Sequence, residues 1–562
     1  MSETEVLKDL FIEKRIDLWW KDLIGQDPSS YSDLDFDLAE KAFPMSEIVS
    51  AKEVHDKFKG IFSYVEYRKT WYLWDGVIHT PCDGPNILEK VVTEFSYAYT
   101  KALTFLDEAI KRQSGQLKRS APDDESGEDA AKKFSKLMER KFSKARKFEE
   151  RLGTNAGILA ISRRLQTEFT IGRDYYENDR QWFVFKNGVL DLDKLKRGQL
   201  DCVSTHDPSR NVTKYFDAEA TGENLGHWDS FLERSIPDED SRKFLQKVTG
   251  AAFMGVPKTR MIANLFGPPG SGKSTFMDAI NKLGQSGIGY CAALDKNAIT
   301  KSNDQVNFGQ NDFRGRRFIS ISEPDHRQPI DDDFLKNYTG DENVSTRGLY
   351  GSFEPWTPQG ILFIASNAPL RINTRDLAIV ERLHMIEFPN QFKDEPGIDP
   401  GHQKIHNIEE LLYSDRSRIL EWILEGMEMF INDSMNWNAP QKVIGYRGSI
   451  VASASVALRW LEDRIDEGYL EIDVHNKEYQ GTLAVDRAYA DFRMWKQFNG
   501  EKSNLSKPYF EEDISKKYFP AIRHDGAKKF PFILKTDKYY KEYEIVPSND
   551  TQSGNTSTGF KF

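Results

Sequence analysis

Apolar positions along the chain change period several times, and each change predicts an element. Residues 1–55 carry short helix-like patches around an acidic run, YSDLDFDLAEKAF. Phe62–Thr80, FSYVEYRKTWYLWDGVIHT, is rich in aromatic and β-branched residues and predicts a small strand pair. The following KRQSGQLKRSAPDDESGEDAAKK has clustered charge without apolar period, which predicts a solvated, mobile insertion. Phe134, Met138, Ala145, Phe148 and Leu152 then recur at helical spacing among lysines and arginines. Two readings of that basic face stay open, a DNA-facing helix or the solvated side of an ordinary one. Trp182–Leu200 predicts a strand, a turn at Asn187-Gly188 and a second strand, and Gly226–Gly255 predicts helices about a turn that begins at Pro237-Asp238. From about residue 258 to 390, apolar strand-like runs alternate with helical patterns, the signature of an α/β nucleotide-binding core. Ser414–Asp433 predicts an amphipathic helix. Near the end, AVDRAYADFRMWKQFNG and SKPYFEEDISKKYF predict helices, and FPFILKTDKYYKEYEIV predicts two strands about a charged turn. No internal repeat is present.

These changes divide the chain into an N-terminal segment (1–55), a mixed α+β domain (56–240) with a charged insertion near 111–150, an ATPase-like core (241–400), a helical connector (401–479), a C-terminal module (480–547) and a disordered tail (548–562). At 562 residues several domains are expected. The hydrophobic share of 39% and charged share of 29% fit a soluble globular protein. No apolar run reaches the roughly 20 residues that span a bilayer, and the charged N-terminus lacks a signal-peptide core. Cys82, Cys202 and Cys291 lie far apart, which points to a reducing, cytoplasmic setting and away from disulfides or structural zinc. A net charge of −11 excludes general nucleic-acid coating, so any nucleic acid must meet a local basic surface.

The densest chemistry lies at Gly267-Pro-Pro-Gly-Ser-Gly-Lys-Ser, which fits G-x-x-x-x-G-K-[ST] between a strand and a helix. Pro268 and Pro269 have no N–H, so the phosphate donors are the amides of Gly270, Ser271, Gly272, Lys273, Ser274 and Thr275 at a positive helix end. Lys273 is placed to reach the β- and γ-phosphates and the Ser274 hydroxyl to hold Mg²⁺. DFRGRRFISISEPD delivers Glu323 at the end of a strand expected beside the P-loop strand, where a carboxylate can polarise water or hold Mg²⁺. The position before it is Ser322, so Glu323 carries the acidic role, with Asp325 as its alternative. GILFIASNAPLRI delivers Asn367 at a strand tip, where an amide can orient water against a γ-phosphate. TRDLAIVERLHMIEFPNQF places Arg382 at a helix end, suited to complete a neighbouring subunit's site. Two weaker constellations carry nothing further. Asp35 and Asp37 lack a matching acid-and-histidine set and read as a surface turn, and His402 and His406 lack Glu or Cys partners for zinc.

In this order, the P-loop, the strand ending in Glu, LKNYTGDENVSTRGLYGSFEPWTPQ, the strand ending in Asn and RDLAIVERLHMIEFP resemble the superfamily 3 helicase domain. More narrowly they are similar to the phage/plasmid and poxvirus-type primase-helicases, with YLWDGVIHT, FVFKNGVLDLD and WDSFLERSIPDEDSRKFLQKVTGAAFMG matching the region upstream of the motor. The resemblance covers roughly residues 60–400 and implies an AAA+ core that uses ATP and Mg²⁺ and a hexameric ring around single-stranded DNA. Gly267, Gly272, Lys273 and Ser274 match its Walker A loop, Glu323 its Walker B acid, Asn367 its sensor and Arg382 its finger. Where the family often has two arginines, the first position here is Glu381. Thr339–Tyr350 matches the segment leading to the channel hairpin, with Arg347 and Tyr350 for phosphate contact and stacking. About 60 residues precede the match, fewer than a primase domain needs, so priming is expected from a separate primase, with a polymerase as another candidate partner. The C-terminal module reads as a winged helix with Lys528, Lys529, Lys535 and Lys538 near its turns, suited to duplex or origin DNA or simply to a soluble edge. The expected function is an ATP-dependent replicative DNA helicase working in the cytoplasm, that of a bacterial host if a bacteriophage encodes it. An AAA+ ATPase that remodels or loads replication proteins and an origin-binding protein are the alternatives.

Overall fold

The chain divides into two discontinuous units. One comprises Met1–Asn224, Lys282–Tyr290 and Asp415–Glu421, the other Leu225–Asn281, Cys291–Ser414 and Trp422–Phe562. The structure is a computed structural model that describes residues 3–120, 125–172, 179–199, 201–256, 259–285, 289–294, 299, 313–322, 331–340, 344–347, 353–367, 377–446, 455–472, 482–501, 505–517, 521–524 and 526–534. Among them, no helix is long and apolar enough to cross a membrane.

In the first unit, the aromatic-rich stretch forms more than a strand pair. Phe62–Val65, Thr70–Trp74 and His79–Cys82 make an antiparallel meander, and Thr170–Ile171 adds parallel to the first strand. The segment read as a mobile insertion is helical on both sides of residues 121–124, which lie outside the described residues: Gly84–Arg119 is one helix and Glu125–Leu152 the next. The charged stretch hid a continuing apolar stripe. Ile87, Val91, Phe95, Ala98, Ala102 and Leu106 are buried on the first helix, and Met138, Phe142, Ala145, Phe148 and Leu152 on the second. They share one core with Trp19, Phe58 and Tyr99, whose hydroxyl donates to Pro44 O at 2.7 Å. Residues of 1–55 belong to this same core. Asp35 and Asp37 open a surface helix rather than a turn: Asp35 caps helix Phe36–Ala42 by accepting from the amides of Asp37 and Leu38, and Asp37 pairs with Lys141. The hairpin Trp182–Phe185/Gly188–Asp191 forms, but its two-residue loop falls at Lys186-Asn187, one residue before the expected turn, and its second strand gives way to helix Leu192–Lys196.

The second unit contains a five-stranded, wholly parallel sheet, so this part of the molecule is α/β. Its order is Leu383–Glu387, Ile262–Phe266, Ile361–Ser366, Phe318–Ser322, Cys291–Leu294. Its strands are buried along most of their length, as a parallel sheet requires when both faces are covered. Helices His227–Ser235 and Glu239–Phe253 flank the turn at Pro237, and the Asp238 carboxylate caps the latter by accepting from Ser241 N at 2.9 Å. Helix Glu239–Phe253 meets helix Arg416–Asn432 at Gly250 and Gly426: a Cβ on Gly250 would lie 2.3 Å from the Gly426 carbonyl carbon.

The C-terminal module begins earlier than its expected boundary at 480. Helix Val456–Asp466 supplies Val456, Leu458, Trp460 and Leu461 to the same core as Val485, Phe492, Phe510 and Phe530. Helices Val485–Phe498 and Lys507–Lys517 follow, with a sheet of Leu470–Ile472, Thr482–Ala484, Ile522–His524 and Ala527–Leu534. At its centre Asp491, fully buried, accepts from Arg464 Nε (2.8 Å), Arg464 Nη2 (3.1 Å) and Trp460 Nε1 (2.7 Å). Asp491→Ala leaves the buried Arg464 guanidinium without its main counter-charge, which costs about 3–5 kcal/mol. Urea unfolding followed by tryptophan fluorescence should show the loss, and a midpoint within error of the wild type would refute it. Lys528 pairs with Glu511 rather than standing free. Lys535, Lys538 and the tail 548–562 lie outside the described residues.

Candidate nucleotide-binding site

Strand Ile262–Phe266 carries five consecutive buried residues and stops at Gly267, whose φ of +149° ends the strand direction. Gly270 and Gly272 also adopt positive φ, +73° and +95°, so three of the loop's residues sit where L side chains are strained. Space imposes the same choice: a Cβ on Gly267 would lie 2.1 Å from Phe388 O, and one on Gly272 would lie 2.7 Å from Ser235 Oγ. Helix Lys273–Leu283 then starts, aiming its first amides back at the loop. Ser274 is exposed at that end. Lys273, by contrast, is buried and donates to Gly267 O (2.7 Å), Pro268 O (2.8 Å) and Ser271 Oγ (3.0 Å). The ammonium thus holds the loop curled around a point where an anion's oxygens can replace the carbonyls.

A brace that sequence reading missed supports this loop. Beyond strand Leu383–Glu387, Phe388 N donates to Phe266 O (2.8 Å) and Phe392 N to Gly270 O (2.9 Å). Gln391 Nε2 donates to Pro269 O (3.0 Å), and Asn390 Nδ2 reaches Arg234 O (2.7 Å) at the end of helix His227–Ser235. Most of these bonds end on main-chain atoms, which leave no mark in side-chain pattern. The Ser235 hydroxyl, buried against Gly272, has no partner among the described residues.

Among the described residues, a further polar group lies at the same end of the sheet. Asn367 directly follows strand Ile361–Ser366, which adjoins the P-loop strand, and is exposed at its tip. Gly267 N donates to Ser366 O (3.3 Å), and buried Asn264 Nδ2 donates to Ile364 O (2.8 Å) and Ser366 Oγ (2.9 Å), so strand tip and loop are tied together. The strand expected beside the P-loop strand, Phe318–Ser322, is one place removed, because Ile361–Ser366 lies between them. Strand adjacency is a long-range property that strand order in the sequence does not reveal. Glu323 and Asp325, which follow Phe318–Ser322, lie outside the described residues, as does Tyr350. Arg347 ends strand Val344–Arg347, which pairs antiparallel with Phe353–Trp356.

Arg382 is drawn into the fold more than expected. Its Nη1 donates to Lys336 O (2.9 Å) and Thr339 Oγ1 (3.0 Å), capping the C-terminal end of helix Asp332–Thr339. It also lines a cavity of about 370 Å³ with Arg260, Glu381, His384, Trp437 and Ile444. His406 pairs with Asp394 at 3.1 Å, and no cluster of three metal-ligating side chains occurs among the described residues.

Comparison with known proteins adds a family signal upstream of this site. Residues 51–237 match the family described as D5 N terminal like. The chain is also 26% identical over 215 residues to the protein named "Putative helicase L207/L206" of Acanthamoeba polyphaga mimivirus, a match spanning 37% of this chain and 22% of that protein. It is 21% identical over 299 residues to "Putative helicase 022R" of Frog virus 3, spanning 50% of this chain and 29% of the relative. Both matches therefore span less than a third of these relatives' length. Among solved structures, the apo NrS-1 C-terminal region (305–718) aligns over 56% of this chain and 77% of its own, with 13% identity and a TM-score of 0.35. The chain is thus similar to viral proteins that bear helicase names, and separately its residues 51–237 match a D5-type N-terminal family.

Proposed function

We propose that this chain is the motor of an ATP-dependent DNA helicase of the superfamily 3, D5-like type, translocating on single-stranded DNA as a hexameric ring. The observation that carries the reading is the phosphate cradle on the second strand of a parallel sheet, with the Asn367 strand tip tied directly to it. The residues fit a nucleotide: glycines at positive φ curl the loop, helix Lys273–Leu283 begins beside it, and Lys273 already binds oxygen atoms there. In this reading the amides of Gly270 to Thr275 and Lys273 bind the phosphates. Ser274, with Glu323, holds Mg²⁺, whose bound form neutralises charge that develops on the phosphoryl oxygens. Asn367 orients water, and Glu323 takes its proton. Arg347 and Tyr350 face single-stranded DNA in the channel. The sheet fits an AAA+ core and the C-terminal module a winged helix that meets duplex DNA, while a separate primase or polymerase supplies synthesis.

Strand displacement on forked DNA tests the reading: displacement that requires hydrolysable ATP is expected. ATP turnover without any displacement would favour a AAA+ ATPase that loads or remodels partners. Glu323→Gln should bind ATP normally and hydrolyse it at least about 10²-fold more slowly. A variant that keeps most of its turnover would move the base to Asp325.

A further inference from the structure

We infer that the solvent face of helix Glu125–Leu152 binds the phosphate backbone of duplex DNA, independent of sequence. The inference rests on the reading that the chain works on DNA, and adds a contact surface in the first unit. From 132 to 151 this helix holds nine lysines and arginines against three glutamates, in a chain whose net charge is −11. These cations divide into two sets. Lys132, Lys141, Arg146 and Arg151 each have an acidic partner: Glu128, Asp37 with Glu40, Asp107 and Glu47. Lys133, Lys136, Arg140, Lys144 and Lys147 are exposed and form no ion pair among the described residues.

The five unpaired cations share one face. At 3.6 residues per turn they fall within an arc of about 80° and span about 21 Å of helix axis. That arc lies opposite Met138, Phe142 and Ala145, which are buried in the core. No acidic residue falls within the arc between Lys133 and Lys147; Glu139 lies to one side. Like charges spaced three and four residues apart destabilise a helix by about 0.2–0.5 kcal/mol per pair. This row places four such pairs in succession with no acid among them, while the flanking cations are all neutralised. A polyanion relieves that repulsion. The row contains no aromatic side chain, so it offers no stacking platform for unpaired bases. It offers point charges to a phosphate ridge, and duplex DNA presents such a ridge at about one charge per 1.7 Å of axis.

The test measures binding of the full-length protein to a fluorescent duplex of arbitrary sequence over a range of salt concentrations. The comparison protein carries Lys133→Gln, Lys136→Gln, Arg140→Gln, Lys144→Gln and Lys147→Gln together. Glutamine keeps helix propensity, and an unchanged unfolding midpoint with unchanged DNA-free ATP hydrolysis shows the fold intact. The slope of log affinity against log salt should fall by about 4–5, near 0.9 per phosphate contact, with binding on the order of 10²-fold weaker at moderate salt. Arg140→Gln alone, the milder variant, should lower the slope by about 1. A control bearing Lys52→Gln, Lys59→Gln, Lys69→Gln and Lys90→Gln, exposed elsewhere on the same unit, should keep the wild-type slope. The inference is overturned if the five-fold variant keeps its slope, if the control loses as much, if the loss is confined to single-stranded DNA, or if the wild type binds no duplex. A protein that binds duplex through the row but unwinds nothing with ATP would refute the helicase reading and leave this one standing.

Discussion

Lys273→Ala is expected to abolish ATP hydrolysis, lowering the rate by at least about 10²–10³-fold, the loss seen when one preorganised donor to developing charge is removed. The ammonium is buried and already coordinates two loop carbonyls and Ser271 Oγ. That burial adds a second expectation. Without the ammonium, Gly267 O and Pro268 O face each other uncompensated, so the loop loses its curl and nucleotide binding weakens along with turnover. A phosphate-release assay beside equilibrium nucleotide binding separates the two effects. Normal turnover would remove the P-loop assignment altogether. The strand and helix on either side do not depend on Lys273, so the unfolding midpoint should move little.

Arg382→Ala tests architecture as well as chemistry. An arginine supplied to a neighbour's phosphoryl group contributes about 10³-fold or more to the rate. In the proposed ring the variant binds ATP nearly normally and hydrolyses almost none. Mixing it with Lys273→Ala should restore part of the activity, because an intact cradle in one subunit can meet an intact arginine from the next. Within one chain, however, Arg382 caps helix Asp332–Thr339 through Lys336 O and Thr339 Oγ1. A purely structural role predicts a lowered unfolding midpoint and mixtures that stay inactive although mixed rings form. Those two measurements together decide between a catalytic arginine and a helix cap.

The phosphate loop was legible because its demands fall on residue types. Positive φ at Gly267, Gly270 and Gly272 asks for glycine, and phosphate asks for a lysine and a hydroxyl at fixed offsets. Local elements with one clear period were legible too, such as the Trp182–Asp191 hairpin and helix Glu239–Phe253. What escaped was long-range. That Ile361–Ser366 sits between the P-loop strand and Phe318–Ser322 depends on which edges pair, and all these strands are equally apolar. The Phe388–Phe392 brace acts largely through backbone atoms. Charge also misled: the stretch KRQSGQLKRSAPDDESGEDAAKK, with no apolar period of its own, read as a mobile insertion, yet it is helical on both sides of residues 121–124. Helix Val456–Asp466 looked like a connector because its partner, Asp491, lies 27 residues beyond Arg464.

The discontinuous path of the first unit has a consequence for biosynthesis. Its N-terminal part ends at Asn224, yet it also contains Lys282–Tyr290 and Asp415–Glu421. Val184 N donates to the Tyr290 hydroxyl (3.0 Å), Asp217 N to Leu283 O (2.7 Å) and Gly222 N to Glu421 Oε1 (2.6 Å). The first two bonds must wait for residue 290 and the third for residue 421, which is made roughly 10–40 s after Asn224 at 5–20 residues per second. Until then the nascent unit lacks at least its last piece, a window in which a chaperone would act. Ribosome-stalled chains ending before and after residue 421 should therefore differ sharply in protease resistance over residues 1–224.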